Sequence, residues 1–339
     1  MKQRFSIFLS IVVGLILVGL WLYMVDVGEM FKVLKEIRLA FIFPLGMLFL
    51  LAYFLRSLRW KVILSPLQKI TVLESFHLCM TNYFVNFLIP VHAGEVIKSV
   101  LLKRMKRTPV SQSLLTVYVD KATDLFPVFL LLGAAPFVKA QVKAVIYMVS
   151  GILLVVVLVF VFSLFAVAYK KNAFLTWMEK IMFFLPAKLI MKWRNFLNVF
   201  IEGISSLPRL SSRLPEIMGL TLLALIVHCG FLWLFFYSLG IDLPLLTVFV
   251  GYLLLNASFI LPAPPGFSGS LELIFLFIFS YLYGYHKNTV SAVAASSHVF
   301  TAVLFSFFGF LSIALIGARL SSLLKMESEK SLGLTVQEK

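Results

Sequence analysis

Apolar runs of about 20 residues recur along the whole 339-residue chain, and each is long enough to cross ~30 Å of hydrocarbon as a helix. Inside hydrocarbon only helices and closed barrels satisfy their own backbone hydrogen bonds. The alternating ten-residue pattern of a barrel strand does not occur here. The expected fold is therefore an all-α polytopic membrane protein. Charged residues make up 13% of the chain, about half the share that a wetted globular surface requires. The first run, Phe5–Met24, follows Lys2 and Arg4 but is longer than a signal-peptide core and precedes no small-x-small cleavage site. It is expected to persist as an uncleaved first span.

The net charge of +15 acquires meaning from where the charges lie. Basic residues gather at Lys2 and Arg4, at Arg56, Arg59, Lys61 and Lys69, at Lys103–Arg107, across Lys170–Arg213, and from Arg319 onward. Placed in the cytoplasm, these clusters hold 22 of the 30 Lys and Arg, leaving six outside and two, Lys98 and Lys121, within apolar stretches. This asymmetry predicts a multi-pass protein of the cytoplasmic membrane with both termini inside. The basic excess also attracts anionic lipid headgroups, and with no aromatic-interleaved basic domain, nucleic acid is not an expected partner. About six full spans follow: Phe5–Val25, Leu39–Leu55, Ser111–Phe137, Ala144–Tyr169, Pro215–Leu239 and Thr289–Gly317. They form one transmembrane domain over residues 1–325. Within it, residues 170–213 suit helices lying on the cytoplasmic interface, and residues 326–339 read as a disordered cytoplasmic tail.

Two apolar segments do not fit as simple spans. Thr71–Ile89 lies between two basic, cytoplasmic clusters and is broken at Pro90-Val-His-Ala-Gly94, which implies a hairpin entering and leaving from inside. Leu245–Leu261 and Ser270–Tyr283 flank Pro262-Ala-Pro-Pro265-Gly266-Phe-Ser-Gly269, and their outer flanks imply a hairpin entering from outside. Proline and glycine stop helices, and unwound backbone at membrane depth needs protein or water beside it. Span, hairpin and span over 39–137 are matched by the same order, inverted, over 215–317. Pro90, Gly94 and Glu95 answer to Pro265, Gly266, Gly269 and Glu272, and Asp120 falls at nearly the same interval as His298. Such punctuation marks an inverted-topology repeat with its site at the repeat interface; the alternative is two kinks that recur by chance in a helical bundle.

Ionisable groups inside a bilayer cost about 2.5–3.5 kcal/mol each by insertion scales, so each needs a partner or a task. Glu95 and Lys98 share one helical face, as do Asp120 and Asp124, with Lys121 adjacent. Asn82 and Asn86 share a face of the entering half-helix. Either Lys98 and Lys121 hold an anionic headgroup while Glu95, Asp120 and Asp124 orient them, or these groups are internal ion pairs that join helices. Glu272 has no basic neighbour in sequence except His298 on the next span, which would pair with it as a proton carrier or as a plain interhelical hydrogen bond. His77, His92 and His228 lack ligand spacing, and no metal site or cofactor is expected. Gly266-x-x-Gly269 follows no strand, no Gly-x-Ser-x-Gly elbow occurs, and Cys79 and Cys229, both inside apolar segments, read as packing residues.

Arg56-Ser-Leu-Arg59-Trp60, Asn86-Phe-Leu-Ile-Pro90-Val-His-Ala-Gly94-Glu95-Val-Ile-Lys98, Val119-Asp120-Lys121-Ala-Thr-Asp124 and Pro262-Ala-Pro-Pro-Gly266-Phe-Ser-Gly269-Ser-Leu-Glu272 together resemble the lysylphosphatidylglycerol synthase transmembrane-region family. The resemblance covers roughly residues 5–318. It implies a flippase-like membrane domain. Family members often carry Arg at the positions of Lys98 and Lys121, Glu at Asp120 and Arg near His298, so this chain keeps or weakens charge while losing the guanidinium's two-pronged grip on phosphate. Larger members add a cytosolic aminoacyl-transferase domain, which does not follow here up to Lys339. The expectation is a chain that moves or binds lipid without making lysyl-lipid.

The functional expectation is a lipid translocase for an anionic phospholipid or polyprenyl phosphate, its headgroup passing between the two hairpins. The site would use Asn86, Glu95, Lys98, Asp120, Lys121, Asp124, Glu272 and His298. Two other classes stay open. One is a membrane-embedded enzyme or an accessory subunit working with lipid- or glycan-synthesis enzymes; the other is an ion-coupled transporter of a small soluble substrate.

Overall fold

The computed structural model describes residues 2–36, 38–89, 93–124, 126–169, 212–259 and 264–317. Pro90, His92 and Pro262, residues 170–211 of the expected interfacial segment, and the expected tail lie outside these. Among the described residues the chain is helical and contains no strand.

The helices in order are α1 (Lys2–Met24), α2 (Val27–Lys35), α3 (Ile42–Leu64), α4 (Val72–Leu88), α5 (Ala93–Lys106), α6 (Val110–Thr123), α7 (Pro127–Ala134), α8 (Ala140–Tyr169), α9 (Leu214–Ser238), α10 (Leu245–Ser258), α11 (Ser270–Phe275, continuing as a π-helix over Leu276–Leu282) and α12 (Lys287–Ile316). Among the described residues three stretches are long and apolar enough to cross a membrane: Leu39–Leu64, Leu214–Ser238 and Lys287–Ile316. The pair Val12–Met24 and Val27–Val33, bent by 83°, would make a fourth. At that bend Asp26 caps α2 by accepting from the Glu29 N–H, while its own N–H donates to Asn288 on α12.

Helix α3 shows why the chain belongs in hydrocarbon. Phe43, Met47, Leu51 and Phe54 form an exposed apolar stripe, whereas the buried face adds Ser57 and Arg59 to Leu45, Phe49 and Ala52. A soluble helix turns its polar face outward. Here the polar groups are turned inward, and the same inversion recurs on α12. There Val299, Val303 and Phe307 are exposed, while Ser291, Ser297 and Ser312 are buried.

The core is built from two antiparallel pairs. α3 lies against α9, with Phe49 meeting Phe231 and Arg59 reaching Thr221. α4 lies against α12, with His77 bonded to Ser312 at 3.0 Å and Phe84 packed over Gly309, where a side chain would collide with the ring. Small residues at such crossings let helices approach closely without a hydrophobic drive between them.

α4 and α5 form a hairpin whose two mouths lie together. Thr71 and Glu74 make a reciprocal capping box at the start of α4, and Lys106 at the end of α5 reaches Glu74 at 2.8 Å. That Lys106 bond holds the Glu74 carboxyl below its ordinary value. Its stabilisation is therefore complete above the usual carboxylate range and is lost as pH falls through the lowered value. At the inner end, Gly94 packs against α4. α10 and α11 form a second helix pair, closed by the Phe279 ring seated on Gly251.

Two elements differ from the sequence expectation. The span expected over Ser111–Phe137 is interrupted between Thr123 and Pro127. Pro127 has no N–H to continue the ladder, and Phe126 keeps helical angles as the cap of α7. The span expected to stop at Leu55 runs on to Leu64, because the apolar Val62-Ile63-Leu64 resumes the buried face after Lys61.

Gly94→Ala is expected to destabilise the protein by about 1–3 kcal/mol, since its Cβ would strike the Asn82 carbonyl and lie 2.7 Å from two side-chain oxygens. Gly219→Ala on α9, with nothing within 4 Å, should be neutral or stabilising by up to ~1 kcal/mol. Melting of the purified protein in detergent separates the two.

Candidate functional site

The polar centre is assembled by α3, α4, α5, α6 and α9. Arg59, 2% exposed, donates from Nε to Asp120 at 2.8 Å, from Nη2 to Asp124 at 2.9 Å and from Nη1 to Thr221 at 3.4 Å. Arg56, one helical turn away, lies 3.6 Å from Asp124 and donates to the Tyr252 hydroxyl at 3.3 Å. Asp124 occupies the break between α6 and α7, so the interruption before Pro127 delivers a carboxylate into the interior at a helix end.

Lys98 is buried. Its Nζ sits 3.9 Å from the Trp60 ring centroid, 3.8 Å from Asp120 and 3.7 Å from the Cys79 sulfur. Trp60 is fixed in turn by donating from Nε1 to Thr116 at 3.2 Å. Lys98 thus acts by positioning Asp120. Lys121, with a side chain 43% exposed, pairs with Glu95 at 3.2 Å. Asn86 reads both sides of the first turn: its Nδ2 donates to Glu95 at 3.1 Å, and its Oδ1 accepts from the Gly94 N–H at 2.7 Å.

A second cluster forms where the other turn meets α12. His298 Nδ1 lies 2.6 Å from Glu272 Oε1, and His298 Nε2 lies 2.6 Å from the Gly266 carbonyl. Gly266 and Gly269 adopt φ of +63° and +75°, left-handed conformations that favour glycine. The Phe87 ring of α4 meets the His298 ring at 6.0 Å, and the open α-face of Gly266 looks onto it. The two hairpin turns therefore converge, with Asn86 and Phe87, adjacent in sequence, addressing one each.

All eight expected site residues fall into these two clusters. The sequence reading missed Arg56 and Arg59, taken there as a cytoplasmic anchor. The signal available was their three-residue spacing, which puts both on one helical face, followed by renewed apolar sequence. It also missed the strip of rings joining the clusters: Tyr53 against Phe305 at 5.0 Å, Phe305 against Phe87 at 6.1 Å, and Phe87 against His298. Among the described residues no group of His, Cys, Asp and Glu is placed to hold a metal ion.

The family model of the lysylphosphatidylglycerol synthase TM region matches residues 7–309. The chain belongs to that family. No curated protein and no solved structure matches it. As a member of the lysylphosphatidylglycerol synthase TM-region family, the protein is a membrane protein of lipid metabolism or translocation, with several apolar helices. Both clusters, from Arg56 to His298, lie inside the matched region.

Removing Arg59 takes the guanidinium away from buried Asp120 and from partly buried Asp124. Arg59→Ala is expected to cost about 3–5 kcal/mol, the range for breaking a buried ion pair, and to abolish recovery of folded protein by size-exclusion chromatography. Lys121→Ala, at the exposed edge, should cost no more than ~1 kcal/mol and elute as the wild type does.

Proposed function

We propose that this protein is a lipid translocase of the cytoplasmic membrane, moving a lipid with an anionic phosphate headgroup through the region where its two hairpin turns converge. The observation that carries this reading is the charge balance of the polar centre. Among the described residues Arg56, Arg59, Lys98 and Lys121 face Asp120, Asp124 and Glu95, one cation in excess, with Arg59, Lys98 and Asp120 buried and Lys121 at the open edge. Excess charge in such surroundings is expensive, and a phosphate headgroup would neutralise it.

The accessible edge of that centre is Lys121, Asp124 and Arg56, and the headgroup would dock there. Lysine meets phosphate as a point charge and leaves it readily, whereas arginine grips with two prongs. A carrier that must release its cargo is served by having Lys121 at the open edge and Arg59 committed to carboxylates. The twofold order of helix, hairpin and helix supports an inverted repeat, with one half rocking against the other and both termini in the cytoplasm.

The test is headgroup movement in proteoliposomes with fluorescent anionic phospholipid and polyprenyl phosphate. Wild type should exceed empty vesicles, and Lys121→Ala and Glu95→Gln should each slow movement about tenfold, equivalent to ~1.4 kcal/mol. Wild-type rates equal to those of empty vesicles for every headgroup would sink the proposal. A new product formed from lipid and an activated donor would point to an enzyme.

A further inference from the structure

Among the described residues Glu272 and His298 touch none of the four cations of the polar centre, and their geometry fixes a proton count. A carbonyl oxygen only accepts, so the 2.6 Å contact between His298 Nε2 and the Gly266 carbonyl requires a proton on Nε2. The 2.6 Å contact between Nδ1 and Glu272 Oε1 requires a second proton, whether drawn as imidazolium with carboxylate or imidazole with carboxylic acid. Both drawings hold two protons on the pair. With one fewer, a nitrogen lone pair would confront either the carboxylate oxygen or the Gly266 carbonyl at that distance, and one of the two contacts could not persist.

We infer that Glu272 and His298 form a proton-binding site, and that the shared proton keeps the second hairpin turn docked on α12. Losing it forces the ring or the carboxylate to move, and the ring is what holds the Gly266 carbonyl. The surroundings give the proton few competitors. The other oxygen of Glu272, Oε2, is buried without a hydrogen-bond partner among the described residues. From α4 the group facing His298 is the Phe87 ring. α11 contributes Glu272 itself, and the turn contributes the Gly266 carbonyl. From α1, Gly14, Leu17 and Val18 back the turn with no charge. From α9, Phe231 and Phe235 pack on Phe300. Asp26 and Glu29 meet α12 only at Asn288, ten residues or ~15 Å along the helix. Toward α5 and α6, Glu95 is engaged by Lys121 and Asn86.

On the translocase reading, this site would couple lipid movement to protons, but its test needs no transport. The full-length protein, labelled with ¹⁵N-histidine and placed in lipid nanodiscs, is titrated from about pH 5 to 9, the range in which histidine environments are tuned. The His298 signal is identified by its loss in His298→Gln. Both ring nitrogens of His298 should shift together in a single step, as Nδ1 loses its bond to Glu272 and Nε2 its bond to the Gly266 carbonyl. Glu272→Gln keeps a donor for Nδ1 without an acid, so its step should move at least about one pH unit lower. Across the wild-type step, amide exchange of Phe267, whose N–H is bonded to the Pro264 carbonyl, should rise about tenfold after correction for intrinsic rates.

A His298 signal that never changes, or an unchanged step in Glu272→Gln, would show a static hydrogen bond and overturn the inference. Flat Phe267 exchange across the step would cut the link between proton and turn. Titration without any lipid movement would leave the proton site standing and remove the translocase; lipid movement without titration would do the reverse.

Discussion

A guanidinium removed from water must be answered on every prong, and the answer Arg59 receives organises the protein. Its donors bind α6 at Asp120, the end of α6 at Asp124, and α9 at Thr221. Two elements far apart in sequence, α6 and α9, are thereby held to α3. The same two carboxylates collect Arg56 and Lys98, so the polar interior is one network and not a set of separate pairs. A network of this kind is favourable only when fully satisfied, which explains why Trp60, Thr116 and Cys79 are recruited around it.

The two turns depend on that frame. Asn86 closes the first by bonding to Gly94 and Glu95, and Phe87 beside it carries contact across to the second. Between them, aromatic rings supply large, stiff, weakly polar surface. A lipid headgroup moving between the clusters would thus pass along ring edges with charged groups at either end.

Much of this was legible in the sequence. Helical class followed from the apolar runs, the turns at Gly94 and Gly266–Gly269 from their glycines and prolines, and the pairing of Glu272 with His298 from the lack of any other partner. Family membership followed from the order of the motifs. What was hidden has a physical reason. Arg56 and Arg59 lie in a basic stretch identical in composition to an interfacial anchor, and only the tertiary position of Asp120 and Asp124 distinguishes the two roles. Lys98 was read either as a headgroup ligand or as part of an internal ion pair, and the Trp60 ring against which it lies comes from another helix. The break at Asp124 turned on Pro127, and proline kinks and proline stops look alike in one dimension.

Gly269 carries a consequence for how the molecule can move. Its α-carbon rests directly on the Leu17–Val18 backbone of α1, so closely that not even a methyl group could be interposed. Main chain against main chain has no side-chain rotamers to absorb a displacement. The second turn therefore cannot slide alone: whatever path it takes toward α1, the first helix must travel as its passenger.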